Sequence, residues 1–123
     1  MASLEVGHVY VVRTTLNKPL PKDKITICVA AGENYFLWFN TKPQPHGFGQ
    51  LPCTAEDHPA LSHDCYLDLS RLTCFSPNEI ATARHRGTIS DALRERIVQM
   101  VEAGIETLPT RHAQLIRDAF SRR

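Results

Sequence analysis

The chain has 123 residues, 42% of them hydrophobic and 22% charged, a balance that suits one globular domain and excludes a disordered segment. A net charge of +1 excludes a strongly basic nucleic-acid arm and an acidic tail, although a local basic patch is still open. No apolar run approaches the roughly 20 residues that span a bilayer. The opening Met-Ala-Ser-Leu-Glu has neither the basic nor the apolar part of a secretory signal. These features predict a cytoplasmic protein that does not enter the membrane. Cys28, Cys53, Cys65 and Cys74 are then expected as reduced thiols rather than as a disulfide framework.

Charge is unevenly placed. Residues 1–80 carry a net −2 and residues 81–123 a net +3, the latter with eight arginines and no lysine. The first half reads as strand. After Gly7, Val9-Tyr10-Val11-Val12 is β-branched and aromatic. Asn17, Pro19 and Pro21 make Thr14–Asp23 a loop or wide hairpin connection. Ile25–Ala30 is a second strand, and Gly32-Glu33-Asn34 a tight turn that tolerates positive φ. Tyr35–Phe39 is a third, aromatic strand. From Thr41 to Pro52 the residues are rich in Pro and Gly and predict an exposed loop. Thr54–Asp57 reads as a short helical turn, and Tyr66–Leu69 and Leu72–Phe75 as further strands.

The second half switches to helix. Ser76-Pro77-Asn78-Glu79 combines an N-cap, a proline at the first helical position and a capping-box glutamate, with Gly87 as the stop. Ser90 caps a longer helix with an apolar stripe of Leu93, Ile97, Val98 and Val101, ended by Gly104. A last helix starts near Thr107–Pro109 and buries Ala113, Leu115, Ile116 and Ala119. The pattern predicts a single α+β domain, a small β-barrel over about residues 5–76 followed by two or three helices over about 77–123.

With these elements placed, the chain resembles the PemK/MazF-like toxin family. Gly7-His8-Val9-Tyr10-Val11-Val12 is similar to that family's opening strand. Lys24-Ile25-Thr26-Ile27-Cys28-Val29 is similar to its second strand. Cys65-Tyr66-Leu67-Asp68-Leu69-Ser70, then Leu72–Phe75 and a helix, is similar to the later strands. The resemblance covers roughly residues 7–105. It implies an SH3-like barrel with C-terminal helices, a homodimer, an antitoxin-like protein partner, and endoribonuclease activity on single-stranded RNA with no metal or other cofactor. The family usually places Arg before the second strand's apolar run, where this chain has Lys24. It places an acid after the opening Gly, where this chain has His8. Its Thr or Ser after the third strand is matched by Thr41.

RNA cleavage of this type uses the ribose 2′-hydroxyl as nucleophile, and it needs a base, a proton donor and positive charge around the phosphate. Lys24, Thr41 and His8 are the expected catalytic residues: Lys24 with Arg13 as cation and Thr41 as donor at the positions that the resemblance matches, and His8 or His63 for proton transfer because imidazole has the right pKa range. Arg13, Lys18 and Lys22, in and beside the first loop, are the expected RNA-binding residues. The plain readings are a solvated lysine at a strand entrance and a strand-edge histidine. Tyr35, Phe36 and Trp38 offer stacking surfaces, but strand alternation sends only some of them outward.

Cys53, His58, His63 and Cys65 supply the donor types of a tetrahedral zinc site. Neither half has the tight C-x2-C spacing, and Pro52 and Pro59 intervene, so the set reads as a polar loop that holds His and Cys. Ser62-His63-Asp64-Cys65 hints at a Cys/His nucleophile pair, but adjacent residues on an extended strand face opposite ways. Arg84-His85-Arg86 and Arg94-Glu95-Arg96 have two readings, an anion-binding face and the plainer one of solvated helix faces. The alternative to a nuclease is a non-catalytic SH3-like barrel that binds a protein partner or nucleic acid.

Overall fold

The computed structural model describes residues 3–16 and 20–120. Along the chain it forms β1 (His8–Thr14), β2 (Lys22–Ala30), β3 (Tyr35–Asn40), β4 (Gln50–Cys53), β5 (Cys65–Cys74), α1 (Pro77–Ile80), β6 (Arg84–Thr88), α2 (Asp91–Ala103) and α3 (Thr110–Phe120). The strands make one antiparallel sheet in the order β4-β5-β3-β2-β1-β6. The α+β class is the one the sequence predicts. The sheet is not closed into a barrel: β4 and β6 end it and share no ladder. Among the described residues, no helix is long and apolar enough to cross a membrane.

Three boundaries differ from the sequence reading. The β1–β2 ladder runs out to Thr14↔Lys22, so the connection between them is shorter than Thr14–Asp23. Residues 50–53 form β4 despite Pro52, because β4 is an end strand and the missing N–H interrupts no central ladder. The helix expected from Ser76 to Gly87 is corrected to a single turn followed by β6. Its capping box forms as predicted, with Glu79 N–H donating to Ser76 Oγ at 3.2 Å and Ser76 N–H to Glu79 Oε1 at 2.8 Å. The chain then turns back, and Arg84 and His85 pair with Val11 and Tyr10. A charged strand at this position covers the apolar β1 and leaves an arginine-rich end that resists edge-to-edge association.

Strand alternation divides the core between two faces. Val9, Ile27, Val29, Leu37, Phe39, Leu67 and Leu69 pack with Leu93, Ile97 and Val101 of α2 and Ile116 and Phe120 of α3. Tyr10, Val12, Cys28, Phe36 and Trp38 form a smaller cluster with Phe75 and with Ile80 of α1. The arginines expected on solvated helix faces are partly engaged. Arg94 donates to Ala119 O at 3.3 Å and lies over the Phe120 ring, and Arg96 pairs with Asp57 at 2.8 Å.

Gly49 fixes how the loop after β3 approaches the sheet. Its φ is +68°, and a Cβ there would lie 2.9 Å from Ile105 Cγ2 and 3.1 Å from the Leu69 carbonyl carbon. Gly49 O accepts from Leu69 N–H at 2.8 Å. Only glycine combines that conformation with so close an approach.

Candidate functional site

The entrance of β2, the exit of β3 and the segment leading into β5 surround a cavity of about 190 Å³, whose wall includes Lys22, Asp23, Lys24, Asn40, Thr41 and His63. Antiparallel pairing brings these together: β2 begins where β3 ends, and β5 starts beside that end, with Asn40 opposite Tyr66. Lys24 donates from Nζ to Asn40 Oδ1 at 2.7 Å, and the same Nζ stands 4.8 Å from the centre of the Trp38 ring. Its charge is therefore positioned rather than freely swinging. Asp23 is the only acid of the wall, and it faces Arg13 at 3.1 Å and Arg84 at 3.4 Å.

His63 is exposed, and its Nδ1 lies 2.9 Å from Asp64 O. A carbonyl oxygen only accepts, so Nδ1 carries the proton in that bond. The neutral ring then keeps Nε2 as its acceptor. The cavity thus combines two ammonium groups, a hydroxyl and an imidazole, groups that can neutralise a phosphate, donate to it and move a proton.

Of the residues singled out in the sequence, Lys24, Lys22, Thr41 and His63 share this cavity. Arg13 stands beside it through Asp23. Lys18 lies outside the described residues. His8 is at the far end of β1, where its Nδ1 lies 2.8 Å from His85 Nε2 and the rings stack, so the structure does not bring it to Lys24.

The four candidate zinc ligands do not converge. Cys53 and Cys65 are directly opposite each other across β4 and β5. His58 is turned elsewhere: its Nδ1 accepts from Ala60 N–H at 2.9 Å, and its ring meets the Thr88 backbone. Among the described residues no group of three His, Cys, Asp or Glu side chains is placed to hold a metal ion. Burial pushes the Cys53 thiol up to about 11 and the Cys28 thiol to about 12, and it raises Cys65 as well. Such thiols are poor nucleophiles, which removes the Cys65–His63 pair.

A second polar centre lies on the sheet face that carries Trp38, and sequence reasoning missed it. Asp68 is buried, with 5% exposure, yet its carboxylate is well supplied with donors. Oδ1 accepts from Ser70 N–H at 2.9 Å, Ser70 Oγ at 2.5 Å and Gln50 Nε2 at 2.9 Å. Oδ2 accepts from Gln44 Nε2 at 3.2 Å. The alternation Tyr66-Leu67-Asp68-Leu69 marks Asp68 only as off the apolar face. Two of its partners, Gln44 and Gln50, come from 24 and 18 residues away, which no local pattern announces.

No family model, curated protein or solved structure matches this chain.

Proposed function

We propose that the protein is a PemK/MazF-like, metal-independent endoribonuclease that cuts single-stranded RNA at the cavity of Lys24, Thr41 and His63. The observation that supports this reading is the meeting of Lys22, Lys24, Thr41 and His63 around one cavity. In the reaction, His63 Nε2 takes the 2′-hydroxyl proton and the 2′-oxygen bonds to phosphorus. The P–O5′ bond breaks, and O5′ takes a proton from Lys22 or water. The products are a 2′,3′-cyclic phosphate and a 5′-hydroxyl. Lys24 and Lys22 balance charge that builds on the phosphate, and Thr41 donates to a non-bridging oxygen. Lys24 offers a point charge where an arginine would offer two parallel bonds.

The same reading takes His63, in place of His8, as the base, because His8 stands with His85 at the opposite end of β1. It carries the rest of the family picture with it: an SH3-like curl of the sheet, a homodimer, an antitoxin-like partner and a cytoplasmic setting.

Incubation of the purified chain with single-stranded RNA in EDTA tests the reaction. Cleavage is expected, with products ending in cyclic phosphate. Lys24→Ala is expected to lower the rate by roughly 100-fold or more, with an unchanged circular dichroism spectrum. Intact RNA with folded wild-type protein, or full activity in Lys24→Ala, would overturn the reading and leave a binding module.

A further inference from the structure

Trp38 also lines a cavity of about 340 Å³, at the small end of the roughly 300–1,000 Å³ range of ligand pockets. Its wall includes Trp38, Gln44, His46, Asp68, Ser70 and Arg71. The hydrogen-bonding places left in it are specific. Asp68 Oδ1 is filled by three donors, whereas Oδ2 has one, from Gln44 Nε2. With a single donor on it, Oδ2 has a lone pair left for another. Gln44 directs its Nε2 to Asp68, and its Oε1 accepts from none of the described residues. Ser70 Oγ gives its proton to Asp68, so it too faces a ligand only as an acceptor. Arg71 is exposed and brings the cavity its guanidinium donors. His46 stacks on the exposed Phe48 ring with centroids 5.8 Å apart, providing a flat aromatic surface at the rim.

A ligand that satisfies this wall carries two adjacent N–H donors for the acceptors and, elsewhere on its ring, a pair of acceptors for a guanidinium. Guanine has that arrangement: N1–H and N2–H₂ on one edge, O6 and N7 on the other. Adenine has a single amino group where guanine has O6. Uracil offers one N–H between two carbonyls, and cytosine has no edge that suits arginine as a fork. We propose that this cavity binds a guanine base of single-stranded RNA, with N1–H and N2–H₂ on Asp68 Oδ2 and Gln44 Oε1, Arg71 on O6 and N7, and His46 against the ring. Lys24 lines the first cavity, and its Nζ stands 4.8 Å from the centre of the Trp38 ring, which lines the second. The guanine is therefore held beside the phosphate that Lys24 contacts. That placement next to the cut rests on the nuclease reading, whereas the base binding does not.

Trp38 is the single tryptophan of the chain, so its fluorescence reports the cavity directly. Titration with GMP, AMP, CMP and UMP is expected to change the Trp38 signal with GMP at least 10-fold tighter than the other three. A short RNA containing one G is expected to compete with GMP, and the same RNA with G replaced by A is not. Arg71→Ala, at an exposed residue, is expected to weaken GMP at least 10-fold without changing the melting temperature, and Gln44→Ala, which also removes a donor from the buried Asp68, to weaken GMP as much while lowering the melting temperature. Equal affinities for the four nucleotides, or GMP binding untouched in both variants, would overturn the proposal. GMP binding without competition from G-containing RNA would overturn its RNA half. RNA cleavage that ignores G but disappears in Lys24→Ala sinks the guanine site and leaves the nuclease. Selective guanine binding with intact RNA sinks the nuclease and leaves the guanine site.

Discussion

The two faces of the sheet are built to opposite specifications. The face under α2 and α3 is an apolar interior in which Phe120, Ile116, Leu93 and Ile97 are fully buried and every strand from β1 to β5 contributes. The other face is apolar only near α1. Toward β5 and the entrance of β2 it turns polar, with Lys24 on Asn40 and Asp68 held by Gln44, Gln50 and Ser70. Both alternate by the same two-residue period. The difference lies in what covers them: two amphipathic helices complete the first, and a single turn of helix leaves much of the second to polar side chains. Polar groups collect where the covering helices are missing, because a buried polar group needs a built set of partners and an open face leaves room for them.

That contrast can be broken most severely on the closed face. Phe120→Ala removes a fully buried ring and also the surface over which Arg94 lies, and it is expected to cost about 3–5 kcal/mol in urea unfolding. A loss under 1 kcal/mol would mean that α3 is not part of the folding core. Gly49→Ala sharpens the comparison from the polar side. It forces a side chain into φ +68° against Leu69 and Ile105, and is expected to cost about 2 kcal/mol while also loosening Gln44 and Gln50 from Asp68. Unchanged stability together with unchanged Trp38 fluorescence would show that the loop does not depend on this close approach.

The smallest effect is a pH dependence at α1. Burial works to raise the Glu79 carboxyl, but bonds from Thr14 and Ser76 outweigh it and hold the group below its ordinary 4.5. The unfolded chain therefore binds the proton more readily. The contribution of Glu79 is present above pH 4.5 and is lost as pH falls through the folded value. Glu79→Gln is expected to cost about 1 kcal/mol at pH 7 and to lose less stability than wild type on acidification from pH 6 to 3. Parallel pH profiles for the two proteins would remove Glu79 from the account.

Much of this fold was legible in local pattern. The strands at 9–12, 25–30 and 35–39 were visible as β-branched and aromatic runs, Tyr66–Leu69 as polar/apolar alternation continued by Leu72–Phe75, which the structure joins into β5, and the caps at Ser76 and Ser90 as helix starts. β4 and β6 were not. Each is short and lacks the β-branched or aromatic run of a strand, and each pairs with a longer neighbour: Gln50–Cys53 beside β5, Arg84–Thr88 beside β1. The same divide runs through the site. Lys24 and Thr41 were singled out through the resemblance, Lys22 as part of a basic loop, and His8 and His63 by residue type; only the β1 register placed His8 at the end of the strand away from Lys24.

The sequence by itself determined the α+β class, the central hairpins and the residue types able to handle a phosphate, since these depend on neighbours within a few positions. Which of those residues meet, that Asp68 is buried among amides, and that a charged segment after a helix cap becomes a strand were decided by tertiary structure. The physical reason is that a hydrogen bond or a shared cavity depends on distance in space. Lys24 and His63 are 39 positions apart, and only strand pairing and register carry one to the other.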